Sequence, residues 1–167
     1  MMNDTHDDLY LELLKRSITA FHAAIQGPEP AGVDRDAPMM DQYLIVLQGQ
    51  KMNLHGWADG HQKLGTGHIQ TSLLIHITAD RKWARTLSRW YHLGDARRLD
   101  TSQFSPDIDL ASFCVPMGLD GISIPLHLAR RVMEQQPTRL AGIAAEKGFD
   151  DVSKTLSVIA KSWPPQT

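Results

Sequence analysis

Residues 68–94, HIQTSLLIHITADRKWARTLSRWYHLG, hold two segments of alternating pattern joined by a short polar connection. In residues 69–78, every second position is apolar or β-branched, which is typical of a half-buried strand. Residues 82–93 alternate in the same way, and the connection between the two segments has the length and polarity of a hairpin turn. The sequence therefore predicts an antiparallel hairpin with its turn at residues 79–82.

Two further strands are predicted at residues 42–48 and 50–57. The first contains the apolar run YLIVL and the second alternates more loosely, with Gly49 at the bend between them. The glycine-rich residues 58–67 are predicted to be a loop. Together with the hairpin, these segments predict a small antiparallel sheet of three or four strands.

An amphipathic helix is predicted before the sheet, over residues 5–26. Gly27 and Pro28 end it, because glycine suits the position after a helix and proline cannot continue one. We expect its apolar face to pack against the sheet, and a homodimer through this helix is the alternative. The residues of this face, at helical spacing, are Leu11, Leu14, Ile18, Phe21 and Ile25.

The C-terminal part is predicted to be a three-helix segment. The fold class is therefore α+β, with the N-terminal helix on the sheet and the three helices after it. The predicted helices span residues 122–136, 138–147 and 150–162, and Gly148 ends the second. The predicted organisation is a helix-and-sheet domain at 1–94, a linker at 95–121 and a helical segment at 122–167.

Composition excludes several classes of protein. Hydrophobic residues make up 42% of the chain and charged residues 22%, as in globular proteins. The single cysteine, Cys114, excludes an intramolecular disulfide and gives no argument for an oxidising compartment. No apolar run approaches the roughly 18–20 residues that span a membrane, and the acidic N-terminus does not look like a signal peptide. We therefore expect a cytoplasmic protein that does not bind membranes.

The charges are unevenly distributed along the chain. Residues 1–41 carry eight acidic and three basic residues, net −5, whereas residues 51–98 carry eight basic and three acidic residues, net +5. Alternate positions of the hairpin hold the candidate binding residues, which the pattern places on one strand face. They are Trp83, Arg85, Arg89 and Tyr91.

These residues allow two interpretations. Guanidinium groups beside aromatic rings suit an anion- or nucleic-acid-binding face. Alternatively, the arginines lie flat on the aromatic rings and pair with carboxylates of the first helix. The opposite net charges of the two segments favour pairing, which we expect, and the candidate partners are Asp7, Asp8 and Glu12.

Three histidines in or near the glycine-rich loop, His55, His61 and His68, are candidates for a metal site. Their spacing matches no established zinc motif, so we expect no metal and no other cofactor. Residues 140–159 resemble both the helix-turn-helix of arabinose-regulator-type transcription factors and the interior of an ankyrin repeat. Because the last predicted helix begins with Asp150 and Asp151, we expect a structural helix pair and not a DNA-reading one.

Residues 83–94 have the pattern W-A-R-T-x-S-R-x-Y-x-L-G. With this pattern, the chain over about residues 7–94 resembles a small bacterial domain family of unknown function. The resemblance implies a short N-terminal helix before a sheet that is closed by this strand. It implies no activity.

The sequence predicts an intracellular binding or regulatory protein that acts by contact with another protein and is not an enzyme. Two alternatives remain open. One is nucleic-acid binding through the basic hairpin face or the helix-turn-helix-like C-terminus. The other is a hydrolase with a histidine-bound metal.

Overall fold

The N-terminal helix packs against the rest of the chain through its apolar stripe. The computed structural model describes residues 4–28, 36–98, 114–116 and 121–166. In it, α1 spans Asp4–Gln26 and ends at Gly27, whose φ of +83° is a conformation that favours glycine. Leu14 and Phe21 are fully buried in a core cluster shared with one sheet strand and two later helices. The predicted packing against the sheet is found at Ile75 of β4, but much of this face packs on α2 and α3, and the homodimer remains a prediction.

The sheet is larger than predicted and is mixed. Its main path has the order β3-β2-β1-β6-β5-β4, in which β1 and β6 are parallel and the other neighbours antiparallel; β8 pairs with both β1 and the short β7. The prediction of three or four antiparallel strands is therefore wrong. The strands are β1 (Met39–Gln48), β2 (Lys51–His61), β3 (Gly65–Gln70), β4 (Leu74–Ile77), β5 (Trp83–Thr86), β6 (Trp90–Leu93), β7 (Val115–Pro116) and β8 (Ile122–Ser123).

The predicted hairpin exists, but its two long strands are each interrupted. β4 and β5 pair antiparallel across a turn at residues 78–82, in which Asp80 accepts hydrogen bonds from the Thr78 hydroxyl (2.6 Å) and the Lys82 N–H (3.0 Å). The segment predicted as one strand over 82–93 is itself a second hairpin, β5–β6. A period of two continues through a tight two-residue turn, so alternation alone did not show this chain reversal. The predicted loop at 58–67 likewise belongs largely to the β2–β3 hairpin.

Where three helices were predicted after the sheet, the described residues form two. α2 (Leu126–Glu146) runs without a break through Pro137, and α3 (Asp150–Ser162) has the predicted bounds. The first residues predicted as helix, Ile122–Ser123, form β8. Gly148, with φ of +78°, turns the chain between the helices as predicted.

The continuity of α2 has a specific cause. Pro137 has no N–H and cannot donate to the carbonyl of Met133 four residues earlier, which is why proline normally breaks a helix. The indole N–H of Trp163, just after α3, donates to this carbonyl instead, with an Nε1–O distance of 2.8 Å. This buried hydrogen bond satisfies the acceptor that proline leaves open.

Two core clusters meet at α2. One contains residues of strands β1, β2, β4, β5 and β6 together with Ala129 and Met133 of α2. The other contains α1, α3 and the second half of α2, packed on Ile75 of β4. The buried Gln136 side chain donates to the Leu74 carbonyl at 2.9 Å and so ties α2 to the sheet edge.

The predicted domain boundaries remain predictions, and most of the predicted linker at 95–121 lies outside the described residues. None of the helices that the structure describes is long and apolar enough to cross a membrane.

The bond between Trp163 and Met133 can be tested by a double-mutant cycle. Trp163→Phe keeps an aromatic ring but removes the donor, so the free energy of unfolding in urea is expected to fall by ~1–3 kcal/mol. Pro137→Ala restores an N–H at residue 137 and is expected to stabilise the Trp163→Phe protein more than it stabilises the wild type. Equal effects in both backgrounds would show that the indole does not replace the missing donor.

Candidate functional site

The turn between β5 and β6 is fixed against the segment before β4. Thr86 and Arg89 bracket the turn, with the Thr86 N–H donating to the Arg89 carbonyl at 2.9 Å. Within the turn, the Leu87 N–H donates to the Leu73 carbonyl at 2.7 Å and the Ser88 N–H donates to the Ser72 hydroxyl at 3.2 Å. The turn thus has a defined position at the end of the sheet.

A cleft of about 520 Å³ opens at this turn. Its cationic side chains come from three separate parts of the chain: α1, the β2–β3 connection and the β5–β6 hairpin. We call it the basic cleft and define it by Arg16, His61, Lys63, Arg85, Arg89 and Tyr91. Among the described residues, no carboxylate lines it.

Arg85 is the cation of the basic cleft whose hydrogen bonding is incomplete among the described residues. It is half-buried, and its Nε atom has no hydrogen-bond partner among the described residues. Burial lowers the pKa of this guanidinium, because a charged group loses its hydration there. A half-buried cation that has no counter-ion among the described residues is destabilising, so its presence at the wall of a cleft requires an explanation.

The expected ion pairs between α1 and the hairpin are not found in the described part of the chain. There, Asp7 pairs with Lys147 of the α2–α3 turn at 3.0 Å, and neither Asp8 nor Glu12 pairs with Arg85 or Arg89. The side chain of α1 that bonds to the β5–β6 turn is instead Arg16, which donates to the Ser88 hydroxyl at 3.3 Å. That interpretation of the arginines was therefore wrong.

The predicted common face is also corrected. Because the chain reverses at residues 87–88, Arg85 pairs with Trp90 and Tyr91 pairs with Ala84, so Arg85 and Tyr91 leave opposite faces of the hairpin. Both still line the basic cleft, which lies at the ends of the strands. Trp83 does not line it, and its ring packs on His92 with centroids 3.6 Å apart.

His61 occupies the basic cleft as a neutral donor. Its Nδ1 atom accepts the backbone N–H groups of Lys63 (3.2 Å) and Leu64 (3.1 Å), so in the neutral ring the proton is on Nε2. Burial lowers the pKa of His61, and the nearby charges of Arg89 and Lys63 lower it further.

The family model for the family of unknown function DUF6634 matches residues 5–106. The chain belongs to this family. The DUF6634 match includes α1 and strands β1–β6, and therefore every residue that defines the basic cleft, whereas α2 and α3 lie beyond it. The bacterial origin and the W-A-R-T pattern of the predicted resemblance remain predictions. Searches of curated proteins and of solved structures find no match to the chain.

The three histidines considered as metal ligands do not converge. His61 lines the basic cleft, whereas His55 and His68 line a second cavity of about 260 Å³. The described part of this DUF6634 chain contains no group of three His, Cys, Asp or Glu side chains placed to hold a metal. The expectation that the protein binds no metal remains a prediction.

Sequence reasoning identified Arg85, Arg89 and Tyr91 but missed Arg16 and Lys63 as parts of the same site. Arg16 lies in the acidic N-terminal segment, and Lys63 in a connection predicted to be loop. The sequence contains only a weak indication of its role, which is that Arg16 lies outside the apolar face of its helix. Only the packing of α1 on the sheet brings it to the hairpin turn.

The depressed pKa of His61 predicts a pH dependence of stability. Because the unfolded chain, with an ordinary histidine pKa of about 6.5, takes up a proton before the folded chain does, acid favours unfolding. The free energy of unfolding is therefore expected to decrease as the pH falls below about 6.5. His61→Asn keeps an acceptor for the two N–H groups and does not titrate.

Urea unfolding at pH 8 and pH 5 measures this effect. The wild type is expected to lose more stability between these pH values than His61→Asn. His127→Asn, at an exposed position of α2, is the control for the substitution itself. Equal losses in the wild type and His61→Asn would contradict the role of His61.

Proposed function

We propose that this protein is a binding protein whose basic cleft takes a small ligand with a phosphate or a similar multiply charged anionic group. The observation that carries the proposal is Arg85, a half-buried guanidinium at the wall of a cleft whose Nε atom has no partner within the described segments of the chain. Three more cations, Arg16, Lys63 and Arg89, line the same space, and the described residues supply no carboxylate to balance them. An anionic ligand would provide the missing counter-charge.

The hydrogen-bonding groups of the basic cleft support an acceptor-rich ligand. Guanidinium and ammonium groups only donate, and the His61 tautomer leaves its Nε2–H as a donor. The Ser72 hydroxyl accepts the Ser88 N–H, which leaves its own proton free to donate. An ionised phosphate only accepts hydrogen bonds and so complements this set.

The size of the basic cleft supports a small molecule. Ligand pockets usually enclose about 300–1,000 Å³, and the basic cleft has about 520 Å³. The proposal keeps the predicted binding or regulatory role and adds a ligand that could control it. Contact with a partner protein, which the sequence analysis predicts, remains a prediction.

Nucleic-acid binding, the first alternative from the sequence, would use the same cations. Binding of single strands also relies on exposed aromatic rings that stack on bases. Tyr91 is only 3% exposed, and Trp83 packs on His92 outside the basic cleft. These positions favour a small anionic ligand over a nucleic-acid strand.

Arg85→Met tests the proposal. Removing an uncompensated charge while keeping an apolar side chain of similar length is expected to leave the melting temperature unchanged or higher. The affinity for pyrophosphate, measured by titration calorimetry, is expected to fall about 10- to 100-fold, as for the loss of a hydrogen bond to a charged group. Arg131→Met, at an exposed position of α2, is the matched control and is expected to bind like the wild type.

Three outcomes would contradict the proposal. Failure of the wild-type protein to bind pyrophosphate would remove the basis of the proposal. An early-melting Arg85→Met variant with unchanged affinity would mean that the guanidinium is structural. Salt-dependent binding of single-stranded oligonucleotides, without binding of pyrophosphate, would favour the nucleic-acid alternative.

A further inference from the structure

A second cavity, of about 260 Å³, lies beside the basic cleft. We call it the His55 cavity and define it by Gln42, Leu44, His55, Ile69, Gln70 and Arg97. Gln70 lines both cavities, and its Cα is paired with that of His55 across β2 and β3. The two cavities are therefore adjacent, with one residue common to their walls.

The lining of the His55 cavity differs from that of the basic cleft. Leu44 and Ile69 supply apolar surface, Gln42 supplies an amide, and Arg97 is the one cation among the described lining residues. The Nε2 atom of His55 is buried and has no hydrogen-bond partner in the described part of the chain. Burial also lowers the pKa of His55, so its ring is neutral near pH 7 and can form one hydrogen bond through Nε2.

The backbone at Gln42 is unusual in the same place. Its φ of +47° lies in the left-handed region that residues other than glycine seldom adopt. The strain occurs at a bulge in β1, where the pairing with β2 shifts between Asp41 and Leu44. Strained residues of this kind cluster at binding sites, where the surrounding structure holds them in place.

The two linings complement the two ends of one class of molecule. A nucleoside diphosphate has a charged end that only accepts hydrogen bonds and a flat heterocyclic end with donors and acceptors on its edge. Four cations suit the first end. A cavity with two apolar side chains, an amide and an imidazole nitrogen that has no partner among the described residues suits the second, and the planar Arg97 guanidinium can stack on the ring.

We propose that the ligand is a nucleoside diphosphate, with its phosphates in the basic cleft and its base in the His55 cavity. This inference rests on the proposed function, since it assigns the anionic group to the same cations. It adds the class of ligand and a second set of binding residues. Gln42, His55 and Arg97 then select the base, and Arg85 and its cationic neighbours bind the phosphates.

Titration calorimetry with pyrophosphate and with the diphosphates of adenosine, guanosine, cytidine and uridine tests the inference. At least one nucleoside diphosphate is expected to bind the wild type 10-fold or more tightly than pyrophosphate does. His55→Leu is expected to reduce that affinity to the level of pyrophosphate and to leave pyrophosphate binding unchanged. His22→Leu, at an exposed position of α1, is the matched control.

A second variant guards against misfolding of His55→Leu. Gln42→Gly removes the amide and suits the positive φ, so it is expected to fold at least as well as the wild type and still to lose selectivity for the nucleoside diphosphate. Arg85→Met is expected to weaken pyrophosphate and nucleoside diphosphates alike.

The outcomes separate the two proposals. Binding of pyrophosphate with no tighter binding of any nucleoside diphosphate would overturn the inference and leave the proposed function standing. A selective nucleoside diphosphate that is unaffected by both His55→Leu and Gln42→Gly would place its base elsewhere and also overturn the inference. Absence of binding by every probe would overturn both.

Discussion

The indole of Trp163 connects the parts of this fold. Its N–H donates to the Met133 carbonyl and so allows α2 to continue through Pro137. Its ring contacts Phe21 of α1 at a centroid distance of 4.9 Å and His76 of β4 at 5.7 Å. One side chain after α3 therefore contacts α1, α2 and the sheet edge. A helix broken at Pro137 would not present its two halves to two core clusters in this way.

The position of α1 determines the composition of the basic cleft. Because Leu14 and Phe21 are buried against the later helices and β4, Arg16 at the border of this buried face reaches the β5–β6 turn. The turn is held separately, by hydrogen bonds to the segment before β4. Two independent sets of contacts thus bring cations of distant sequence together, which their mutual repulsion alone would oppose.

Segment charges did not predict which residues pair. The net charges of −5 and +5 suggested ion pairs between α1 and the hairpin, but Asp7 contacts Lys147 at the α2–α3 turn. Exposed ion pairs contribute little to stability, so packing decides which charged groups meet. As a consequence of this packing, no carboxylate of the described residues lines the cleft beside Arg85, and the charge of Arg85 is the basis of the proposed function.

The sequence by itself determined α1, α3 and the turn between β4 and β5. In each, the signal is local: an apolar stripe with a glycine at its end, or a polar turn between alternating segments. Only the tertiary structure decided that α2 continues, because the donor that replaces the missing N–H of Pro137 is 26 residues away in the chain. The parallel pairing of β1 with β6 is likewise a contact between distant segments. The basic cleft also depends on contacts between distant segments, since Arg16, Lys63 and Arg85 become neighbours only after the helix has packed on the sheet.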